Sequence, residues 1–189
     1  MTLTKPENQP ASQSATTHAS GLEKAVYWLG LGLGSGLPRH APGTWGSLAA
    51  LALGVPMMLL GFYAYLAIVI IAALIGSYVC GTTSRLMGGH DNPHIVFDEW
   101  VGMWIALLPV ALLIGEVGGW RAAVLMSGNF LWVLFALGLP FALFRLFDII
   151  KPFPIRWVDK NVSGGFGILI DDVLAGIMAA IAWVLVAYI

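Results

Sequence analysis

From Ala41 to Ser84 the chain runs for 44 residues without an Asp, Glu, Lys or Arg. A soluble fold cannot hide a stretch of that length from water. A bilayer can, because its hydrocarbon core asks for about 20 apolar residues per helical crossing. Three more charge-free runs follow, at Trp100–Gly115 (16 residues), Ala122–Phe144 (23) and Val173–Ile189 (17). The first run is long enough for two crossings, broken near Gly61-Phe62. With 59% apolar and 10% charged residues, against about half and a quarter in soluble domains, the chain reads as an all-α polytopic membrane protein. About five crossings are predicted, four at the least, near residues 45–61, 63–83, 99–115, 122–144 and 172–189. Pro56, Pro109 and Pro140 fall inside them as kinks of the kind bilayer helices tolerate. The short, Gly-rich stretch Val26–Leu37 is predicted to be interfacial or re-entrant. Residues 1–20 are polar and mixed and predict a disordered tail, leaving 21–189 as one membrane domain. No basic start with an apolar core and cleavage site is present, so no signal peptide is expected.

The crossings sort the charges. Two between residues 45 and 83, and two more between 99 and 144, return the chain to one side each time. Lys5, Lys24, Arg39, Arg85, Arg145, Lys151, Arg156 and Lys160 then share a face, with Arg121 opposite. The positive-inside rule makes that face cytoplasmic. A net charge of −1 offers no basic excess for nucleic acid. Cys80 is the only cysteine and can form no intrachain disulfide, so it reads as a small buried side chain.

Three polar clusters reach this face. Gly34–Ser47 (GSGLPRHAPGTWGS) combines glycines, which permit close backbone approach, with Ser35, Thr44 and Ser47 hydroxyls and the Arg39 guanidinium. These can cradle an anion, or the stretch can be a turn into a capped helix. It is neither a Walker A loop nor a GxGxxG fingerprint. Gly89–Trp104 (GHDNPHIVFDEWVGMW) sets His90 and Asp91 ahead of Asp98 and Glu99, which open an apolar helix. Such an acid pair can supply oxygens to a hard divalent cation, or can simply complement the helix dipole; Trp100 and Trp104 would then be interface anchors.

The third cluster, Arg145–Asp172, packs four cations and four acids into 28 residues. Arg145–Asp148 and Asp148–Lys151 have the spacing of surface helix pairs. Pro152 and Pro154 predict a stiff, extended segment presenting Lys151 and Arg156, and Gly164, Gly165 and Gly167 predict a turn before Asp171-Asp172 open the last helix. Asp159 and Lys160 read as solvated and Glu116, on the other side, as irrelevant to chemistry, while His18 in the tail and His40 in a loop are assigned no role. A helix dipole explains one acid pair. Two pairs opening helices on one membrane face point to a site.

Carboxylates for one or two metal ions, convergent Arg and Lys and an anion-cradling loop suit a phosphomonoester at a membrane surface. No DxDx[TV] nucleophile motif is present, so water activated by the metal is the expected nucleophile. The three stretches GSGL…APGTWGSLAA, GHD…IVFDEWVGMW and FRLFDIIKPFPIRWVDKNVSGGFGILIDDVLAG resemble bacterial phosphatidylglycerophosphatase A over residues 28–180. The resemblance implies a Mg²⁺-dependent, multi-pass inner-membrane enzyme that hydrolyses phosphatidylglycerophosphate to phosphatidylglycerol and phosphate. His90, Asp91, Asp98, Glu99, Asp148, Lys151, Arg156, Asp171 and Asp172 fall in the matching motifs; His94 is not carried over. Within that frame our own assignment gives the metal to Asp98, Glu99, Asp171 and Asp172, with His90, Asp91 and Asp148 also catalytic. The substrate falls to Ser35, Arg39, Thr44, Ser47, Arg145, Lys151 and Arg156.

Other classes fit less well. A transporter or channel predicts acids deep in spans, whereas these are expected at span edges. Neither the KxxxxxxRP and SGH signatures of PAP2-type phosphatases nor the DGxxAR of CDP-alcohol phosphotransferases occurs.

Overall fold

The computed structural model describes residues 20–89, 92–117, 128–187 and 189. The tail before Ser20, His90, Asp91 and Arg121 lie outside them, as do the side chains of Glu116 and Val117. Every regular element among the described residues is a helix.

Helix α1 (Gly21–Gly30) opens on a capping box, in which Ser20 and Glu23 each satisfy the other's backbone N–H. It lies along the later helix Phe62–Leu86, with Val26 buried and Leu22 and Trp28 exposed. A 3₁₀ turn (Gly32–Gly34) and a loop lead to α2 (Pro42–Met58), where Pro42 occupies the first helical position, at which a missing N–H costs nothing. Gly61, at a φ of 94° that favours glycine, breaks the long apolar run, and α3 (Phe62–Leu86) follows. Next come α4 (Phe97–Ala106) and α5 (Leu108–Val117), which meet at a 49° bend. Pro109 cannot donate across that bend. Helix α6 (Phe130–Ile150) carries a π-turn at Leu134–Gly138 just before Pro140. The short α7 (Ile155–Asn161) and α8 (Gly164–Ala187) complete the chain.

Three helices, α3, α6 and α8, are long and apolar enough to cross a membrane, or four if the bent α4–α5 pair is one span. The fifth expected crossing is α2, whose 17 residues stop just short of that length.

Helix α8 packs against α3, α4 and α6, and α4 also packs on α2. Small residues set the closest crossing. A Cβ on Gly102 of α4 would lie 2.6 Å from the Asp172 carbonyl oxygen, and one on Gly176 of α8 would strike the Gly102 carbonyl. Backbones can approach so closely only where side chains are absent, as at other small-residue crossings between apolar helices. Tyr65 donates to the Trp104 carbonyl (2.8 Å) and the Trp104 indole to that of Ala50 (2.8 Å), tying α3, α4 and α2 together.

Two sequence expectations are corrected here. Gly164, at a φ of 76°, makes the turn at the very start of α8, and Gly165 already lies within the helix, where it packs on α3 against the Ser77 carbonyl and Gly81. Asp171 and Asp172 therefore lie two turns inside the helix rather than at its start. The proline segment turns at once into α7 instead of staying extended. Trp100 and Trp104, which would be interface anchors on the helix-dipole alternative alone, are buried core residues, 4% and 6% exposed.

Candidate metal and phosphate site

The Gly102–Gly176 crossing dictates the site. Asp98 precedes Gly102 by four residues and Asp172 precedes Gly176 by four, so each acid sits one turn back on the face that approaches its neighbour. Asp98, Glu99 and Asp172 consequently offer carboxylate oxygens that lie within 4.8 Å of one another. Asp98 and Asp172 are buried. Oδ1 of Asp98 and Oε2 of Glu99 are buried with no hydrogen-bond partner. Three carboxylates cannot stay ionised together in such a place without a counter-charge.

A cation fits. The donor set is all oxygen, with no thiolate or imidazole among the three, which suits a hard divalent ion over zinc or copper. The helix-dipole explanation still holds for Asp98 and Glu99 in the first turn of α4. It fails for Asp172, two turns into α8.

Two cations border the carboxylates. Arg145, on the last turns of α6, pairs with Asp148 at 2.7 Å and donates to the Ser47 hydroxyl at 3.4 Å. Ser47 in turn donates to the Gly43 carbonyl at 2.7 Å. Gly43 is bare because Glu99 Oε1 and the Arg145 guanidinium occupy the space over it. The start of α2 thus meets Glu99 and Arg145, which joins the Gly34–Ser47 stretch to both other clusters. The Arg145 Nε remains buried and unpartnered.

Lys151 departs from the expected Asp148 pairing. It caps α6 in the left-handed region (φ 46°), which swings its side chain toward Asp171 at 2.7 Å and Asp159 at 2.5 Å. Burial alone would pull the pKa of its ammonium down, but these two carboxylates outweigh burial and hold it above the ordinary lysine range. Asp171 therefore faces Lys151 and stands outside the trio of carboxylates, whereas four metal ligands were expected. Asp159, read as solvated, is Lys151's second partner.

The remaining candidates scatter. Thr44 is half-buried on the first turn of α2, and Arg39 is exposed before it. The buried Ser35 hydroxyl has no partner. Arg156 is exposed on α7 and donates to the Ile150 carbonyl at 3.3 Å. His90 and Asp91 lie outside the described residues. His94 contacts the Gly36 carbonyl through Nδ1 at 2.6 Å, a loop-fastening role. Sequence reasoning missed Asp159 and also Cys80, which is buried on α3 within electrostatic reach of Asp98, Glu99 and Asp172. A lone cysteine in an apolar run gave no signal of that neighbourhood.

Comparison with known proteins finds relatives over most of the chain. The family profile described as Phosphatidylglycerophosphatase A matches residues 28–187. A Haemophilus influenzae protein named phosphatidylglycerophosphatase A is 44% identical over 86% of this chain and 89% of its own. The Escherichia coli protein of the same name is 42% identical over 80% and 77%. A Bacteroides thetaiotaomicron protein, provisionally named a phosphatidylinositol-3-phosphatase, is 36% identical over 81% and 87%. No solved structure matches the chain.

Proposed function

The chain belongs to the phosphatidylglycerophosphatase A family, and on that premise we propose that it hydrolyses phosphatidylglycerophosphate to phosphatidylglycerol and phosphate with Mg²⁺ at the cytoplasmic face of the bacterial inner membrane. That it is a phosphatase follows from its family. The observation that carries the metal reading is the buried trio Asp98, Glu99 and Asp172, with two carboxylate oxygens left unpartnered.

Asp98, Glu99 and Asp172 would hold the ion. When bound, it would neutralise charge on the phosphoryl group and make water acidic enough to attack near neutral pH. Arg145 is held between Asp148 and Ser47, so its fork is preorganised to receive phosphoryl oxygens as their charge grows. Lys151, fixed by Asp159 and Asp171, supplies a second positive group beside the acids. Hydrolysis by water is favoured over a covalent enzyme intermediate. The Ser47 hydroxyl already donates to Gly43, and Cys80 is sealed in the core. The shared cytoplasmic face rests on the charge count of the loops, and five crossings would require α2 to span as well.

Phosphate release from phosphatidylglycerophosphate by the purified protein tests the reading. Turnover should require Mg²⁺ and stop with chelator. Undiminished turnover in chelator would sink the metal, and no turnover in Mg²⁺ would sink the substrate. Phosphatidylinositol 3-phosphate belongs in the same assay because of the Bacteroides relative; it should be the poorer substrate.

A further inference from the structure

Helix α7 and the turn before it enclose a concavity of about 380 Å³ lined by Pro152, Phe153, Arg156, Trp157, Lys160 and Asn161. Charge on this short helix is segregated. Arg156 and Lys160, one turn apart, both line the hollow, whereas Asp159 reaches to Lys151. Like charges at that spacing repel, and no acid lines the hollow to offset them. Arg156 spends one of its guanidinium N–H donors on the Ile150 carbonyl, leaving the rest to bind an anion. Phe153 and Trp157 are 82% and 59% exposed, and Ile149 and Ile150 are exposed beside them at the end of a span-length helix. Aromatics and cations together at that level match a layer of lipid headgroups. The hollow also adjoins the acidic site, because Pro152 follows Lys151, whose ammonium touches Asp171.

We propose that this hollow binds the substrate's second phosphate, the diester that joins the headgroup glycerol to the lipid, while the terminal monoester sits at the carboxylates. The assignment rests on the phosphatidylglycerophosphate reading and deepens it. Arg156 and Lys160 neutralise the diester, and Phe153 and Trp157 rest among the acyl-chain necks. The enzyme then selects a phosphomonoester that carries a phosphodiester one polyol away, and discriminates against soluble monoesters.

The test uses the full-length enzyme in neutral-detergent micelles, comparing wild type with Arg156→Gln, Lys160→Gln and the double variant. Two inhibitors separate the subsites: phosphatidylglycerol, which keeps the diester and lacks the monoester, and inorganic phosphate, which resembles only the monoester. In the double variant KM for phosphatidylglycerophosphate and Ki for phosphatidylglycerol should rise together, by about tenfold for two partly exposed charge-assisted contacts, while Ki for inorganic phosphate stays put. A phosphatidylglycerol Ki that does not move, or a phosphate Ki that moves equally, overturns the proposal. So does an effect seen only when another anionic lipid is added, which would make the hollow a seat for bystander lipid. Wild-type enzyme that fails to turn over phosphatidylglycerophosphate defeats the parent reading instead, a result distinct from all of these.

Discussion

Asp98 shows how a residue can be read two ways until its neighbours are known. At the start of an apolar helix it is an ordinary dipole complement; one turn from a backbone crossing, beside Asp172, it is a buried charge in need of a cation. Asp98→Asn should lower turnover by about a thousandfold, since it removes a ligand from a site worth several kcal/mol to the transition state. The same variant carries a stability signature. Without metal it should melt no lower than wild type, because one of three crowded carboxylates has lost its charge. Added Mg²⁺ should raise the melting temperature of wild type by linkage and leave the variant nearly unmoved. A variant stabilised as much as wild type would return Asp98 to a helix-terminus role. Lys151 invites a finer test. Its folded-state pKa is raised, so its pairing with Asp159 and Asp171 contributes fully below the unfolded lysine value of about 10.4 and is lost only as pH climbs through the higher folded value. Asp159→Asn should therefore raise KM several-fold at every pH from 6 to about 9, with Asp159→Glu restoring most of the loss. A defect confined to one end of that range would break the argument. Cys80, close to the acids yet buried, should be dispensable: Cys80→Ala should keep turnover within about threefold, where a thiol nucleophile would lose orders of magnitude.

At the scale of elements, the Gly102–Gly176 crossing aligns the acids, so filling it should disturb both fold and chemistry. A Cβ at Gly102 meets the Asp172 carbonyl oxygen and the Phe144 ring, both at 2.6 Å. Backbone and a fully buried ring cannot yield cheaply, and overpacking of that kind costs about 1–3 kcal/mol. Gly102→Ala should lower the melting temperature by several degrees in a thermal scan and weaken Mg²⁺ stabilisation by moving Asp98 off Asp172; an unchanged scan would show that the helices slide apart freely. The same crossing explains what the sequence could and could not reveal. Charge-free runs located the long helices because hydrocarbon excludes charge whatever the fold. The glycines misled, since Gly164-Gly165 reads as a turn by the rules of water-soluble chains. Gly164 does keep the positive φ of a turn residue, but Gly165 is the place where two backbones touch between apolar helices, and α8 already begins here, seven residues before Asp171. Lys151 was unreadable for a related reason. A lysine in the left-handed region is uncommon, and only that cap turns it from Asp148 toward Asp171. The acids and Arg145 were legible as a group because a membrane chain concentrates charge only where it is used.

For the whole molecule, the decisive property is that one end of the bundle holds the chemistry. The start of α2 meets the start of α4 at Gly43 and Glu99, the end of α6 meets α2 through Arg145 and Ser47, and Asp172 of α8 joins the same cluster. Helices α2, α4 and α8 therefore leave this end, while α3 and α6 arrive at it. If these helices cross the bilayer as proposed, Asn92 and Ser163 lie on one side of the membrane and Gly128, between α5 and α6, on the other. The cytoplasmic side proposed for the site rests, by the positive-inside rule, on Lys151, Arg156 and Lys160 of the second loop and on Arg85 and Arg145 at the helix ends beside them. Single cysteines at Asn92, Ser163 and Gly128 in a Cys80→Ala background convert this into a measurement. In intact spheroplasts an impermeant maleimide should label only the cysteine at position 128. In inverted vesicles it should label those at 92 and 163 and spare 128. If 92 and 163 label from opposite sides, the acids cannot form one site in the membrane, and the metal reading falls with the topology. If both label from outside, the site stands but faces away from the cytoplasm, and the positive-inside assignment of these loops falls.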